Sequence, residues 1–239
     1  MNKVTVYSCV TGGYDNVYKA ILASANVPEP DVEFVLYTDN QLQHNGQAIS
    51  LGNYISPVSR ITWKIRPLLW QHAFCDTRTA RFHKVNSHLV APDCDYSVWV
   101  DGSQLIKYIK LWEELSKYLQ PEVAIQTFKH PQRTCVYQEL EACKRLRKDN
   151  AELMTRQVKS YRQAGYPPYH GMVETACVVR KHTEEAIKFN QAWWEEMTRH
   201  SFRDQLSFNY CSWKTGTPYG FIPGSRDNSP FFLFKPHKS

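Results

Sequence analysis

Two short stretches hold the residues best suited to chemistry. In Tyr96-Ser97-Val98-Trp99-Val100-Asp101-Gly102-Ser103 an apolar, partly β-branched run ends on an acid, and a glycine and a serine follow at once. The pattern predicts a buried strand with Asp101 at its carboxyl end. Ligands of open α/β sheets bind beyond the carboxyl ends of the strands, so Asp101 is placed to face one. Gly102 lets the chain turn and lets a bulky ligand approach the backbone. The plainer alternative is an acid that caps a turn. In the second stretch, Ser201-Phe202-Arg203-Asp204 has capping-box spacing and predicts a helix running through Trp213. That box alone accounts for Asp204 without any ligand. Arg81 and Lys84 lie three apart in a predicted helix over 76–85 and share a face. Aimed at the sheet rim they would suit a pyrophosphate; a solvated basic face is the alternative. Asp93-Cys94-Asp95 spells Asp-x-Asp, but it precedes its strand and belongs at the opposite end of the sheet from Asp101.

The elements that must position these residues alternate between strand and helix. Val4–Val10 reads as a buried strand, Thr11-Gly12-Gly13-Tyr14-Asp15-Asn16 as a turn and 17–25 as a helix. Strand, glycine turn and helix open a nucleotide-binding α/β unit, without the spacing of the dinucleotide or P-loop fingerprint. Thr11 and Gly12 are therefore candidate phosphate contacts. Tyr14 either stacks on a base or covers the sheet edge. Glu33-Phe34-Val35-Leu36-Tyr37-Thr38-Asp39 repeats the strand-to-acid theme, and Asp39 either holds a base or ribose or caps a turn. Residues 40–59 are polar and loop-rich around a short strand at 48–51. Residues 61–74 look helical, with Pro67 starting or kinking the helix. A helix over 111–119 and a strand over 123–127 lead to His130-Pro131-Gln132-Arg133 at the same rim.

A helical insertion at about 131–165 follows, with helices over 137–148 and 151–164. Met154, Val158 and Tyr161 form a buried face, and Gly165 is a C-cap. The Lys144-Arg145-Leu146-Arg147-Lys148 run is the exposed side of the first of these helices. A rigid loop over 166–171, a strand over 175–180 and a helix begun by Thr183, with Ala186, Phe189, Trp193 and Met197 inside, complete the pattern. The tail over 231–237 is aromatic and is expected to pack across the site. The class is α/β with a mostly parallel central sheet flanked by helices, in one domain over 1–239.

The 239 residues carry a net charge of +6, which favours an anionic partner without choosing among nucleotide, nucleic acid and phosphorylated sugar. Seven scattered cysteines contain no Cys-x-x-Cys pair, which argues against a zinc site or a disulfide framework. No apolar run nears the roughly 20 residues that span a bilayer. The chain enters a strand pattern directly at its start, so a cytoplasmic protein is expected.

Several pieces together resemble a GT-A-fold nucleotide-sugar glycosyltransferase. Residues 4–15, His130-Pro131-x-Arg133, the Gly171 loop, Trp193-Trp194 and Ser201-x-Arg203-Asp204-Gln205 are similar to a small family that includes plant cell-wall and mucilage-related glycosyltransferases. More distantly, Arg81, Asp101-Gly102-Ser103, Gly171, Asp204-Gln205-x-x-x-Asn209 and Lys235-Pro236-His237 resemble the glycogenin and bacterial galactosyltransferase group. There the strand ends in Asp-x-Asp; here Ser103 replaces the second acid and the histidine follows the proline.

The resemblance implies transfer of a sugar from a UDP- or GDP-linked donor to a glycan or other hydroxyl acceptor, leaning retaining. Charge on the departing diphosphate must be met by cations or a divalent metal. Mn²⁺ or Mg²⁺ would rest on Asp101, with Ser103 and His237 as weaker or nitrogen ligands. Arg81, Lys84 and Lys235 would supplement or replace it. Asp204 and Gln205 would face the transferred sugar. Glu174 would bind acceptor, act as general base or be an ordinary strand-edge acid, and His130, Arg133 and Gly171 would lie on the acceptor side. Two rival readings are a sugar-nucleotide nucleotidyltransferase and a nucleic-acid-binding module. The first wants a longer, basic glycine-rich loop after the first strand. The second needs one continuous basic surface, whereas the charges here are dispersed.

Overall fold

Strand β1 (Val4–Val10) is buried along its whole length, and its side chains alternate between two cores. Tyr7 and Cys9 point into one, with Tyr37, Trp99, Val178, Phe189, Trp193 and Phe208. Val4, Val6 and Val10 point into the other, with Leu36, Trp63, Val98, Leu111 and Phe232. A strand buried on both faces needs apolar residues at nearly every position, which is what this run supplies. The computed structural model describes residues 2–13, 25, 27–39, 43–44, 47–48, 51–56 and 61–236. Tyr14, most of the helix expected over 17–25 and His237 lie outside the described residues.

In chain order the further strands are β2 (Val32–Thr38), β3 (Gln43–His44), β4 (Gln47–Ala48), β5 (Gly52–Ile55), β6 (Thr62–Pro67), β7 (Tyr96–Val100), β8 (Gln104–Ile106), β9 (Ile125–Lys129), β10 (Val173–Lys181), β11 (Gly220–Ile222) and β12 (Phe232–Phe234). The helices are α1 (Asp76–Val85), α2 (Ser87–Val90), α3 (Leu111–Ser116), α4 (Val136–Arg145), α5 (Ala151–Gln163), α6 (Glu184–Arg199) and α7 (Asp204–Thr215). Eight strands form the central sheet in the order β11-β9-β10-β7-β1-β2-β6-β5. β1 runs parallel to β2 and β7, β2 to β6, and β11 to β9. β10 is antiparallel to both of its neighbours, and β5 to β6. The expected α/β architecture with a mostly parallel sheet is the observed one.

Residues 61–74 depart from the sequence reading. Instead of a helix they begin with strand β6, parallel to β2. Trp63 and Ile65 are buried while Thr62 and Arg66 are exposed, a period of two that fits a strand, and Pro67 ends it where no further ladder bond is needed. The helices expected over 137–148 and 151–164 are present as α4 and α5. Met154, Val158 and Tyr161 are buried, and the Asn150 side chain accepts the Leu153 N–H as N-cap. The strand expected over 123–127 lies two residues later, as β9. The tail strand β12 pairs antiparallel with β8, just beyond Asp101.

Candidate active site

The sheet order reverses between β1 and β7, the place where open α/β sheets form a crevice at their carboxyl ends. Asp101 directly follows β7 at that end. Its backbone N–H donates to the Ala176 carbonyl at 2.9 Å. Its Oδ1 accepts from Trp99 Nε1 at 2.6 Å and from Lys84 Nζ at 3.0 Å. Among the described residues Oδ2 has no hydrogen-bond donor, and the side chain is 28% exposed. One carboxylate oxygen is thus clamped and the other is left toward the rim. Trp99 and Asp101 lie two apart on a strand and so share a face, which explains how the indole reaches the acid.

Lys84 does more than touch Asp101. Its ammonium also lies 2.6 Å from Asp204 Oδ2, with 1% of the lysine side chain and 2% of the aspartate exposed. Asp204 Oδ2 accepts from Thr175 Oγ1 at 2.7 Å, and Oδ1 lies 3.6 Å from Arg81 Nη2. Burial alone would raise the Asp204 pKa, but Arg81, Lys84 and Arg203 hold it well below the usual carboxylate range. The carboxylates of Asp101 and Asp204 therefore face the cations of Lys84 and Arg81 in one partly buried cluster. Arg81 and Lys84 do share a face of α1 and do aim at the rim. There they meet carboxylates, and the solvated basic face is ruled out for Lys84.

The capping box read at Ser201 does not form. The Ser201 hydroxyl donates to Asp149 at 2.5 Å, and no side chain caps the start of α7. Asp204 therefore enters the ion cluster. Trp193, from the Trp-Trp pair, fixes that helix start by donating to the Asp204 carbonyl at 3.0 Å and to Ser207 Oγ at 3.1 Å. Gln205 donates to the Val173 carbonyl at 3.1 Å and accepts from Arg203 Nη2 at 3.3 Å. Thr175 arrives through a bulge: β10 pairs Glu174 with Phe128 and then Val178 with Thr127, so residues 175–177 drop out of the ladder with β9 while Cys177 stays paired with Val100 of β7. That bulge supplies both the Thr175 hydroxyl and the Ala176 carbonyl to the cluster. Neither contact is signalled by residue type, since Thr175-Ala176-Cys177 is an ordinary strand sequence.

At the end of β1, Thr11 Oγ1 and the Gly12 N–H both donate to Asp39 Oδ2, at 2.8 and 2.7 Å. Asp39 thus ties the end of β2 to the glycine turn. Gly12 has φ +65°, and a Cβ there would meet Asp76 Oδ2 at 2.2 Å. Only glycine fits both demands. Asp76, the first residue of α1, escaped the sequence reading. A loop over 68–75 stands beside it. His83 Nε2 accepts the Leu69 N–H at 3.0 Å while its Nδ1 lies 2.9 Å from the Thr79 carbonyl. This fixed loop presents Phe74 at 95% exposure.

Glu174 Oε2 accepts the Arg226 N–H at 3.0 Å, and burial, partly offset by Arg226, raises its pKa. The Arg226 guanidinium grips its neighbour Asp227 and lies 4.7 Å over the Phe234 ring. The field of Asp101 reaches Arg226, so this loop cation stands near the rim acid. Sequence reading missed it, because one Arg in a polar loop carries no signal. Lys235 is exposed, and its N–H donates to the buried Ser103 carbonyl at 2.8 Å, which brings the tail against the Asp101 turn as expected. His130 and Arg133 sit together with buried Glu139 of α4: Arg133 Nε bonds Glu139 and its Nη2 lies 2.7 Å from His130 Nε2. Burial, then Arg133, lowers the His130 pKa, favouring the neutral ring. Gly171 has φ +87°, and a Cβ there would lie 2.7 Å from the Tyr219 hydroxyl, itself bonded to Asn209; the next residue, Met172, accepts the His130 N–H at 3.0 Å.

Among the described residues no three His, Cys, Asp or Glu side chains converge on a point that could hold a metal. Asp101 offers a carboxylate oxygen with no hydrogen-bond donor among the described residues, and Ser103 follows it two residues on. Mg²⁺ accepts sites of one or two carboxylates when substrate phosphates complete the shell, and the single open oxygen of Asp101 fits that minimum.

Fold and site together define an α/β protein of the kind that takes ligands at the carboxyl ends of its strands. The chain belongs to the TOD1/MUCI70 family: residues 1–225 match its glycosyltransferase-like domain. It is similar to the "Probable hexosyltransferase MUCI70" of Arabidopsis thaliana, with 30% identity over 142 residues, covering 55% of this chain and 24% of that protein. The chain spans about a quarter of that relative's length. No helix among the described residues is long and apolar enough to cross a membrane.

Proposed function

We propose that the chain transfers a hexosyl group from a UDP- or GDP-linked sugar to a hydroxyl acceptor, a glycan in the first instance. The observation that carries this reading is Lys84, buried between Asp101 and Asp204 at the reversal of the sheet. A cation in that position locks the rotamer of Asp101 before any ligand arrives, so binding need not order it. The strand order β6-β2-β1-β7 beside an antiparallel β10, together with the family, supports a GT-A-like arrangement.

Charge divides the rim into two halves. Asp39 and Asp76 flank the Thr11-Gly12 turn. Carboxylates accept hydrogen bonds from hydroxyls and repel phosphates, so this half suits the nucleoside. Arg226 and Lys235 stand on the other side of Asp101, where they suit the diphosphate, and Arg226 would exchange Asp227 for it. Lys84 and Arg81 are committed to carboxylates and act by holding Asp101 and Asp204 in place. When bound, Mn²⁺ or Mg²⁺ on Asp101 would polarise the leaving diphosphate. Glu174, with its raised pKa, is suited to take the acceptor proton at its Oε atoms. His130 and Arg133 border that side. The retaining course rests on the Asp204-Gln205 likeness.

The test is thermal unfolding of the protein with UDP, GDP, ADP and CDP, each with and without Mn²⁺. A ligand that binds only the native state raises Tm, by the equivalent of about 2.7 kcal/mol at a hundred times its Kd. One diphosphate is expected to protect more than the others. Absence of protection by all four at millimolar concentration contradicts the reading.

A further inference from the structure

Arg180 is the most unusual cation in the molecule. It lies on β10, opposite Ser97 of β7, toward the end of the sheet remote from Asp101. Its side chain has no exposed surface, and no carboxylate among the described residues pairs with it. The Tyr7 hydroxyl lies 3.5 Å from Nη1, and the guanidinium carbon stands 5.6 Å from the Trp193 ring centroid. Nε and Nη2 have no acceptor among the described residues. These two N–H groups form one edge of the planar fork, the edge that grips an anion with two parallel bonds. The other buried lysine or arginine among the described residues, Lys84, has Asp101 and Asp204 beside it, and the partly buried Arg203 feels Asp204 and Glu139.

The surroundings repeat the pattern. Ser97 Oγ, fully buried and paired in register with Arg180, also lacks a partner among the described residues. Asn190 of α6 lies one turn from Trp193 and donates to Ser87 Oγ at 3.2 Å. His88 and His182 both feel the arginine's charge, which helps keep them neutral. Arginine keeps its proton in proteins, so burial cannot remove the charge, and an uncompensated buried charge is costly.

The geometry points to a structural anion site here, in which the Nε–Nη2 edge of Arg180 and the Ser97 hydroxyl hold one small monovalent anion of the halide class. The class follows from the charge and the walls. One positive charge calls for one negative charge. Tyr7, Trp193 and Ser97, all buried, leave an ion to shed its whole hydration shell, which disfavours divalent oxyanions such as sulfate or phosphate. The bound ion would tie β7 and β10 to the inner face of α6, four residues below Asp101. This inference stands apart from the sugar-transfer reading and survives its failure.

The experiment compares thermal unfolding of the wild-type chain in sodium chloride, bromide and gluconate at one pH and constant ionic strength. Chloride and bromide are expected to raise Tm saturably, by about 5 °C or more at full occupancy, and gluconate is not. Crystals grown in bromide should show an anomalous peak against Nε and Nη2 of Arg180. In Arg180→Met the halide dependence should vanish. Should that variant not fold, Ser97→Ala is expected to shift the chloride midpoint upward. Equal Tm in all three salts, or no bromide peak at Arg180, overturns the proposal.

Discussion

Lys84 has carboxylates on two sides and almost no access to water. Removing its charge leaves Asp204 with Arg81, Thr175 and the field of Arg203, and leaves the Asp101 side chain held by Trp99. Lys84→Met, similar in length, is therefore expected to lower stability by about 3–5 kcal/mol, the usual cost of breaking a buried pair, as measured by urea unfolding. Unchanged stability would mean that the cluster is not paired in solution. Arg226 is a different kind of residue, a loop cation whose present partner is its own neighbour. Arg226→Ala should leave Tm within about 1 °C while raising KM for the donor at least tenfold. Only part of this was legible from residue types. Arg81 and Lys84 were visible as a pair on one helix face. Their partner Asp204 was masked by a capping-box spacing that the chain does not use, because Ser201 turns to Asp149 instead.

At the scale of elements, the turn after β1 and the loop before α1 form the half of the rim proposed for the nucleoside. Gly12→Ala places a methyl at φ +65° and against Asp76, so nucleotide binding should fall at least tenfold and stability by about 1–3 kcal/mol. The loop over 68–75 depends on His83 keeping Nε2 free to accept the Leu69 N–H. Burial lowers its pKa from 6.5 to about 4, and the same cause lowers His182 to about 4. Between those values the unfolded chain binds the proton and the folded chain does not. Stability is therefore full above pH 6.5 and falls as pH drops toward 4, by an amount on the order of 2–3 kcal/mol from His83. A Tm profile between pH 7 and 4 checks the sign; a Tm that rises on acidification contradicts it. Element types were readable wherever one pattern dominated, as in β1, β2, β7 and α4 to α7. Residues 61–74 misled because Trp63, Ile65, Leu68, Leu69 and Trp70 satisfy helical as well as alternating spacing, and only pairing with β2 decides between them.

For the whole molecule, the sheet's order does the assembling. Residues distant in sequence, from Thr11 through Asp101 to Arg226, come to one edge because β1 and β7 are neighbours and because the tail returns along β8. Sequence alone gave the class of that sheet and the acid at its rim. The bulge in β10 was invisible, since it arises from pairing with β9 and leaves no mark on residue type. The central claim of the proposal is that Asp101, through a divalent metal on its open oxygen, is the acid that holds the sugar–diphosphate donor. Asp101→Asn keeps the size and the Trp99 hydrogen bond while removing the charge. Donor turnover should fall at least about a hundredfold with the far-UV spectrum and unfolding transition of a folded protein. Turnover at the wild-type rate in that folded variant would contradict the account.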